Sequence, residues 1–282
     1  MNPPAQAPLP DHLGLIAGKG SYPLLVARAA RAAGVKRLSL VAFDRETDPA
    51  LFPLADESLS IRVGELGKLL RFCRDQAVPA AIMAGQISPG HLFDLKPDWR
   101  ALLLLAKLKE RNAETIFGAI ADKLGEGGTI VLPATTFLED CLAAPGPLAG
   151  PRPGRRQRED IAYGFRIAKE MARLDIGQTV VVKRGTVLAV EAFEGTNAAA
   201  RRGGALGRGG AVLVKVSKPG QDFRFDVPVV GPHTFQTAHE AGIGTIACEA
   251  GRTLLLERER LEALAREFKI SLVGVSPSDS AL

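Results

Sequence analysis

The chain is poor in cysteine and in aromatic residues. Its three cysteines, Cys73, Cys141 and Cys248, lie far apart and form no CxxC pair. This excludes a thiol-redox motif and argues against a disulfide framework, and it favours a reducing, cytoplasmic compartment. Aromatic residues make up only 5% of the 282 residues, so the core must be mostly aliphatic.

Long apolar runs and several common catalytic motifs are also missing. The longest apolar run, ALLLLA at 101–106, is far too short to cross a bilayer, so any membrane contact is expected to be peripheral. The first ten residues lack the basic and apolar regions of a signal peptide. The absence of HExxH and GxSxG removes the usual zinc-protease and serine-hydrolase classes. The formal charge of +5 fits anionic small ligands as well as nucleic acid or a membrane surface.

In the first half of the chain, strand-like and helix-like segments alternate. Apolar strands are predicted at 12–18, 37–43, 80–85 and 129–134, and helices at 21–33, 65–76, 99–110 and 113–124. Strands that alternate with helices form parallel βαβ units. The sequence therefore predicts an N-terminal Rossmann-like domain with a parallel sheet over residues 1–144.

The second half begins after a stretch rich in proline, glycine and arginine, PGPLAGPRPGRRQR, at 145–158. Such a composition favours neither helix nor strand and predicts an interdomain linker. Helices are then predicted at 159–173, 232–241 and 258–268, and strands within 179–193, joined at Arg184-Gly185, and at 212–217, 223–230 and 245–250. The fold class is therefore α/β with two domains, the second a mixed α/β domain over 159–282.

The loops that follow the first and third strands are the first candidate site. GKGSYP at 18–23 leads from a strand into a helix, where exposed amides and the absent side chain of Gly20 favour an anionic ligand. A plain tight turn is the alternative. After the third strand, Gln86 is a candidate for binding a base or a sugar, whereas His91 and Lys96 are interpreted as solvated loop residues.

The stretch 186–234 carries the densest polar chemistry of the chain. Glu191 and Glu194 close one strand beside Thr196, and two acids next to a hydroxyl predict an oxygen-rich Mg²⁺ site. Salt bridges with nearby lysines are the alternative. The glycine- and arginine-rich segment 200–211 is interpreted as a loop that wraps a pyrophosphate or as a mobile connector. No aromatic residues interleave with its basic ones, so nucleic acid is not expected as a partner.

The segment LVKVSKPGQDFRFDVP at 213–228 places acids and bases on a predicted strand. Strand alternation puts Arg224 and Asp226 on one face, opposite Phe225. A carboxylate held by packed neighbours suits a metal ligand or a general base. An Arg–Asp ladder on an exposed face is the alternative. Thr234 lies near the start of the following helix, and His233 and His239 are wrongly spaced for zinc.

Five segments together resemble one family, the I-type UDP-2,3-diacylglucosamine pyrophosphatase of lipid A biosynthesis. They span nearly the whole chain, in the family's order: GLIAGKGSYP, LKPD at 95–98, LDIGQTVVVKRGTVLAVEAFEGTN, VLVKVSKPGQDFRFDVPVVGPHT and AGIGTIACEAGRTL. The resemblance implies a cytoplasmic hydrolase that splits UDP-2,3-diacylglucosamine into UMP and 2,3-diacylglucosamine 1-phosphate. It also implies a homodimer and a divalent cation, Mg²⁺ or another such as Mn²⁺ or Co²⁺. Any contact with the inner membrane is expected to be peripheral.

The resemblance and the residue patterns together assign three sets of site residues. The family's essential aspartate falls on Asp226. The predicted catalytic residues are Asp226, Lys215 and Arg224. The predicted metal ligands are Asp226, Glu191 and Glu194. The predicted substrate-binding residues are Gly18, Lys19, Gly20, Ser21, Gln86, Thr196, Lys218, Gln221, Asp222 and Thr234.

The chain departs from the family pattern at two places. It has Asn-Ala-Glu at 112–114 where the family usually shows Gly-Asp-Asp, and Asn197 where it usually shows aspartate. An amide oxygen binds Mg²⁺ less strongly than a carboxylate does. The lost acids therefore leave open a non-catalytic protein that binds a nucleotide sugar or a lipid. An ATP-grasp-like ligase also stays open, because paired strands that carry lysines and acids after a Rossmann-like domain suit nucleotide-dependent ligation.

Overall fold

The computed structural model describes residues 9–87, 97–110 and 112–276. His91 and Lys96 therefore lie outside the described residues. The chain divides into two compact units, the first of residues 1–138 with 222–226 and the second of 139–221 with 227–282. The short segment Asp222–Asp226 thus belongs to the first unit, although the chain on either side of it belongs to the second.

The first unit alternates strands and helices as the sequence predicts. Its elements are β1 (His12–Ala17), α1 (Tyr22–Ala32), β2 (Arg37–Phe43), a 3-10 helix (Pro49–Leu54), β3 (Glu57–Ile61), α2 (Leu66–Asp75), β4 (Ala80–Ala84), α3 (Trp99–Lys107), α4 (Ala113–Glu126) and β5 (Ile130–Val131). The strands pair in the order β3-β2-β1-β4-β5, and every pair is parallel. The prediction of a Rossmann-like parallel sheet is confirmed.

The central strands of this sheet were the easiest to predict. β2 and β4 are buried almost throughout, because helices cover both faces of a parallel sheet and its strands become continuous apolar runs. The edge strand β3, ESLSI, was not predicted, since all of its residues except Ile61 are partly or fully exposed and its run is not apolar. The predicted strand at 129–134 shortens to Ile130–Val131.

The second unit is built on a six-stranded mixed sheet. Its elements are a 3-10 helix (Glu139–Cys141), β6 (Gly146–Ala149), α5 (Arg155–Arg173), β7 (Thr179–Lys183), β8 (Thr186–Val190), α6 (Thr196–Gly207), β9 (Ala211–Lys215), β10 (Val229–Val230), α7 (Pro232–Glu240), β11 (Ile243–Glu249), β12 (Leu254–Leu255), α8 (Arg258–Glu267) and β13 (Ser271–Val275). The sheet order is β6-β13-β11-β9-β7-β8, with β10 and β12 in a separate pair. Parallel and antiparallel pairs both occur, so the predicted mixed α/β architecture is confirmed.

The β7–β8 hairpin turns at Arg184 and Gly185, as predicted. Both residues have positive φ, 50° and 71°. Asp160 of α5, which is 5% exposed, accepts the amide of Arg184 at 2.9 Å and that of Gly185 at 2.7 Å. A buried carboxylate with two amide donors fixes this turn, and with it the register of β8.

Two segments that the composition predicts as irregular are regular instead. Within the predicted linker 145–158, β6 pairs antiparallel with β13, and α5 begins at Arg155. The segment 200–211 is neither a phosphate loop nor a connector, since most of it belongs to α6. Its glycines allow close packing, because a Cβ at Gly203 would lie 2.5 Å from Val181 and one at Gly204 would lie 2.1 Å from the carbonyl oxygen of Ala241.

None of the helices in the described ranges combines the length and the apolar character needed to cross a membrane.

Candidate functional site

The loops after β1 and β4 lie side by side at the carboxyl end of the first sheet. Gly18 donates its amide to the Ala84 carbonyl at 2.8 Å, and Lys19 and Gln86 exchange backbone hydrogen bonds of 2.7 and 3.1 Å. A Cβ at Gly18 would lie 2.5 Å from the Gln86 carbonyl oxygen, so this approach requires glycine. The structure therefore brings together the predicted residues at 18–21 and Gln86.

The same contacts correct one expectation about this turn. The amides of Gly18 and Lys19 hold the two loops together, so they are already used and do not point to an anion. Ser21 precedes α1, and its side chain makes no capping hydrogen bond. The exposed Lys19 and Gly20, whose φ is +98°, remain in place to contact a ligand at the start of α1.

A cleft of about 710 Å³ opens beside this turn, at the ends of β1, β2 and β3. It is lined by Lys19, Gly20, Ala42, Phe43, Asp44, Arg45, Glu46, Thr47, Asp48, Pro49, Phe52 and Ser60. Doubly wound sheets bind ligands outside the carboxyl ends of their strands, next to the point where the strand order reverses. In this sheet the strand order reverses at β1, which has β2 on one side and β4 on the other.

The acidic residues of this cleft were not among the predicted site residues. Asp44 follows β2 directly, and Glu46 and Asp48 come next in the same loop. In Rossmann-like units an acid just after the second strand commonly accepts the ribose hydroxyls of a nucleotide. The position of Asp44 at the end of the second predicted strand was the signal that would have identified it.

The segment that carries Asp226 is a turn and not a strand, so the predicted strand at 223–230 is wrong. The amides of Phe225 and Asp226 both donate to the Asp222 carbonyl, at 3.3 and 3.0 Å, and the strand β10 begins only at Val229. A shared face for Arg224 and Asp226 was predicted from strand alternation, so that prediction is also wrong. Phe225 instead packs against Phe117 in the core of the first unit, with ring centroids 5.9 Å apart.

Asp222 and Arg224 hold this turn together. Asp222 accepts the Arg224 amide at 3.0 Å and the guanidinium at 2.7 Å, and the guanidinium also lies 3.6 Å from Asp122. The hydrogen bond from the Arg224 side chain lowers the pKa of Asp222. The turn is therefore fully stabilised at neutral pH and loses this support only as the pH falls through the lowered pKa. These contacts give Asp222 and Arg224 a role in positioning Asp226.

In the second unit, three predicted residues meet at one edge of the mixed sheet. The Lys215 ammonium donates to the Thr196 hydroxyl at 3.3 Å, and that hydroxyl donates to Oε1 of Glu191 at 2.8 Å. Lys215 ends β9, and Glu191 follows the last residue of β8 and donates its amide to the Thr179 carbonyl. The ends of β8 and β9 thus lie on either side of the start of β7, which places a carboxylate and a lysine close together.

Buried polar atoms at this edge have unused hydrogen-bonding capacity. Glu191 and Gln221 are 9% and 7% exposed, yet neither Oε2 of Glu191 nor Nε2 of Gln221 has a hydrogen-bond partner among the described residues. The same is true of Oε1 of Gln178, next to the start of β7. Burial of such groups costs roughly 1–3 kcal/mol each when they stay unpaired. Unmet donors and acceptors at one edge are suited to a polar ligand.

Other predicted residues of the second unit have local structural partners. Glu194 accepts from the Arg202 guanidinium at 2.6 Å and from the Ala192 amide at 3.1 Å, and hydrogen bonds from its own amide and from Arg202 lower its pKa. Lys218 pairs with Asp175, and its amide donates to Oε1 of Gln221 at 2.7 Å. The Thr234 hydroxyl accepts the Gly231 amide at 3.4 Å, at the start of α7.

A buried ionic network supports the loop that follows β9. Glu249, at the end of β11, is 2% exposed and accepts from the Ser217 amide at 2.7 Å and the Ser217 hydroxyl at 2.8 Å. Lys169 of α5 donates to the same carboxylate at 3.0 Å and to the Ser217 carbonyl at 2.8 Å. Since Ser217 stands between Lys215 and Lys218, this network fixes the start of the lysine-bearing loop.

The residues present fit a divalent cation only in part. Oε2 of Glu191 is a buried carboxylate oxygen with no hydrogen-bond partner among the described residues, so it is available to a cation that prefers oxygen ligands. Glu194 does not fit, because Arg202 and a backbone amide already engage its carboxylate. In the described part of the chain, no group of three or more His, Cys, Asp or Glu side chains is arranged to hold a metal ion. The structure thus favours Glu191 over Glu194, and the cation itself stays a prediction.

Fold and site together define a two-unit α/β protein, with a Rossmann-like strand order and a cleft at the carboxyl edge of its first sheet. The model of the LpxI N-terminal domain matches residues 12–141, and that of the LpxI C-terminal domain matches residues 144–273. The chain belongs to the LpxI family. It is similar to the UDP-2,3-diacylglucosamine pyrophosphatase LpxI of Caulobacter vibrioides, with 34% identity over 280 residues, which cover 95% of this chain and 98% of that protein.

Solved structures give weaker similarity. The biotin carboxylase subunit of pyruvate carboxylase aligns with 64% of this chain and 35% of its own, at 14% identity and a TM-score of 0.26. The crystal structure of gox2253 aligns with 96% of this chain and 87% of its own, at 13% identity and a TM-score of 0.31. Both scores are too low to support an argument about fold or function.

Proposed function

We propose that this protein hydrolyses the pyrophosphate of UDP-2,3-diacylglucosamine. Water adds at one phosphorus, the bond to the bridging oxygen breaks, and the products are UMP and 2,3-diacylglucosamine 1-phosphate. The observation that carries the proposal is the match to a pyrophosphatase of this name at 34% identity over 95% of the chain. Family models that cover both halves support it.

We assign the nucleotide to the cleft of the first unit. Lys19 supplies a cation at the start of α1, where the helix terminus also favours phosphate. Asp44 is placed to accept the hydroxyls of the ribose, and the exposed Gln86 to pair with the base. Asp226, presented by the Asp222–Arg224 turn of the same unit, accepts the proton of the attacking water in this proposal.

The second unit carries its own group of residues suited to phosphate. Lys215, held by Thr196 beside Glu191, neutralises charge that develops on phosphoryl oxygens. Glu191 would hold the predicted Mg²⁺ through its unengaged oxygen. When bound, the cation would polarise the phosphates and offset their charge. Gln221, with its buried unpaired amide, is a donor to the substrate.

The setting of the reaction is also part of the proposal. A substrate with two acyl chains resides in a membrane, so the protein would work in the cytoplasm at the inner membrane surface and bind a lipid-linked nucleotide sugar. The family resemblance adds assembly as a homodimer. Gel filtration with light scattering tests the last point, and a monomeric mass at working concentration would refute it.

The function is tested by incubating the purified protein with UDP-2,3-diacylglucosamine in mixed micelles, with and without Mg²⁺. We expect UMP release in equal amount to the sugar 1-phosphate, dependent on the cation. Product formation that requires ATP would favour a ligase. Tight substrate binding without release of UMP would identify a binding protein.

Replacement of Asp44 by asparagine is expected to weaken UMP binding about 10-fold, because one or two charge-assisted hydrogen bonds to the ribose would be lost. Isothermal titration of the variant and the wild type measures the change. Asp75→Asn is the matched control, because Asp75 lies on α2 outside the cleft. Equal affinity of Asp44→Asn and wild type would place the nucleotide elsewhere.

A further inference from the structure

Helix α3 of the first unit is apolar on both of its sides. Ala101 and Leu104 face inward and are each 8% exposed. Trp99, Leu102 and Leu103, at i, i+3 and i+4, form an outward stripe with exposed fractions of 64%, 54% and 54%. A surface helix of a globular protein normally shows polar residues on its outer side. An outer side of tryptophan and leucine marks a site of interaction.

The charged residues that line a groove beside this stripe are mostly basic. A groove of about 370 Å³ runs between α2, α3 and α4, with leucines in its wall. Its lining carries four cations, Arg74, Arg100, Lys107 and Lys123, and one carboxylate, Glu126. Arg74 and Lys123 have acidic neighbours, whereas Arg100 lies over the Trp99 ring at 5.2 Å. We call Trp99, Leu102, Leu103, Arg100 and Lys107 the α3 surface.

Two kinds of partner could cover the α3 surface, and its charge distinguishes them. A second copy of the chain, paired through this surface about a two-fold axis, would place two cationic surfaces against each other, since the α3 surface carries two cations and no carboxylate. An anionic bilayer complements both features, because its phosphates attract the cations while its acyl boundary accepts the leucines. Tryptophan and arginine are also suited to the boundary between headgroups and acyl chains.

We propose that the α3 surface binds anionic phospholipid bilayers, with α3 lying in the plane of the headgroup boundary. Trp99 and the two leucines enter the boundary, and Arg100 and Lys107 contact lipid phosphates. This deepens the membrane setting of the proposed function by naming the residues that make the contact, and it does not rest on hydrolysis, since it concerns binding to a lipid surface that contains no substrate.

The chain itself supplies the probe, because Trp99 is its single tryptophan. The full-length protein is titrated with vesicles of phosphatidylcholine alone and of phosphatidylcholine with phosphatidylglycerol at a ratio of about 3:1. On the anionic vesicles we expect a blue shift of the Trp99 emission and quenching by brominated lipid, together with co-sedimentation. Neutral vesicles should bind at least about 10-fold more weakly, since removal of each cation–lipid attraction lowers binding about fivefold.

Variants connect this binding to the surface. Leu102→Glu and Leu103→Glu should lower partitioning about 10-fold or more, and Arg100→Gln with Lys107→Gln should lower it on anionic vesicles only. The matched control is Leu206→Glu, which changes a leucine of α6 that is 62% exposed. Circular dichroism confirms that each variant is folded.

Three results would overturn the proposal. The first is an unchanged Trp99 emission on anionic vesicles. The second is a loss of partitioning in Leu206→Glu as large as that in Leu102→Glu. The third is a change of oligomeric state in the α3 variants without a change in vesicle binding, which would assign the surface to a second copy. None of these measurements depends on UMP release, so they leave the test of the proposed function separate.

Discussion

Replacement of Asp226 by asparagine is expected to lower the rate of UMP release by about 10³-fold, within the range for loss of a catalytic proton acceptor. Substrate affinity should change no more than a few-fold, because asparagine keeps the size and much of the polarity of the side chain. The turn should persist as well, since its backbone hydrogen bonds and the Asp222–Arg224 pair do not involve the Asp226 carboxylate. A fall in kcat at nearly constant KM would identify a group that acts in the transition state.

Asp122 provides the matched control for this change. It is an exposed aspartate of the same unit, and its carboxylate lies 3.6 Å from the Arg224 guanidinium, which is long for an ion pair. Asp122→Asn should retain activity within about threefold, as expected for a weak surface ion pair. Full activity of Asp226→Asn would refute the assigned role, and equal losses in both variants would show that the effect comes from the turn and not from one carboxylate.

The parts of the fold that the sequence predicts well are those set by burial. The strands β1, β2 and β4 are runs that are buried almost throughout, so their apolar character and their length define them without tertiary information. The hairpin at Arg184-Gly185 was also predictable, because the turn residues lie between two clear apolar runs. The supporting carboxylate, Asp160, comes from a helix 24 residues earlier and could not be inferred from the local sequence.

Two predictions are wrong because the sequence pattern behind each has more than one physical cause. One pattern is a glycine-rich segment, and the other is an alternation of apolar and charged residues. The composition of the segment 200–211 predicts a loop. The structure instead requires glycine at 203 and 204 because α6 packs closely on Val181 and Ala241. The segment FRFD alternates like a strand, yet it is a turn whose Phe225 packs in the first unit. Which cause applies depends on neighbours that are distant in sequence.

The candidate site was predictable by residue type but only partly by role. Lys215, Thr196 and Glu191 are predicted site residues that do meet, at the ends of β9 and β8 and the start of α6. Arg224 and Asp222 bind each other. The sequence pattern alone does not distinguish such a pair from two residues that each contact a ligand. Asn112, which stands in a triplet that departs from the family, accepts the Thr115 amide at 2.9 Å and so caps α4. That contact gives it a structural reason to be present, whereas the structure offers no such reason for Asn197.

Replacement of Glu191 by glutamine, compared with the same change at Glu194, tests the predicted cation site directly. Glutamine can still accept from Thr196 but loses the charge, and a neutral amide oxygen binds Mg²⁺ less strongly than a carboxylate does. We expect the half-saturating Mg²⁺ concentration for UMP release to rise about 10-fold, and kcat/KM at low Mg²⁺ to fall about 100-fold, the range in which loss of a metal contact is usually found.

The two glutamates make this a sharp comparison because they are three residues apart and differ in their surroundings. Glu191 is buried with an unengaged oxygen, whereas Glu194 is exposed and bound to Arg202. Glu194→Gln should therefore change the Mg²⁺ requirement less than about threefold, as is usual for an exposed ion pair. Thermal unfolding gives a second readout, since a cation that binds the folded state raises Tm. That rise should be lost in Glu191→Gln and kept in Glu194→Gln, and the reverse pattern would move the cation to Glu194 and contradict our assignment.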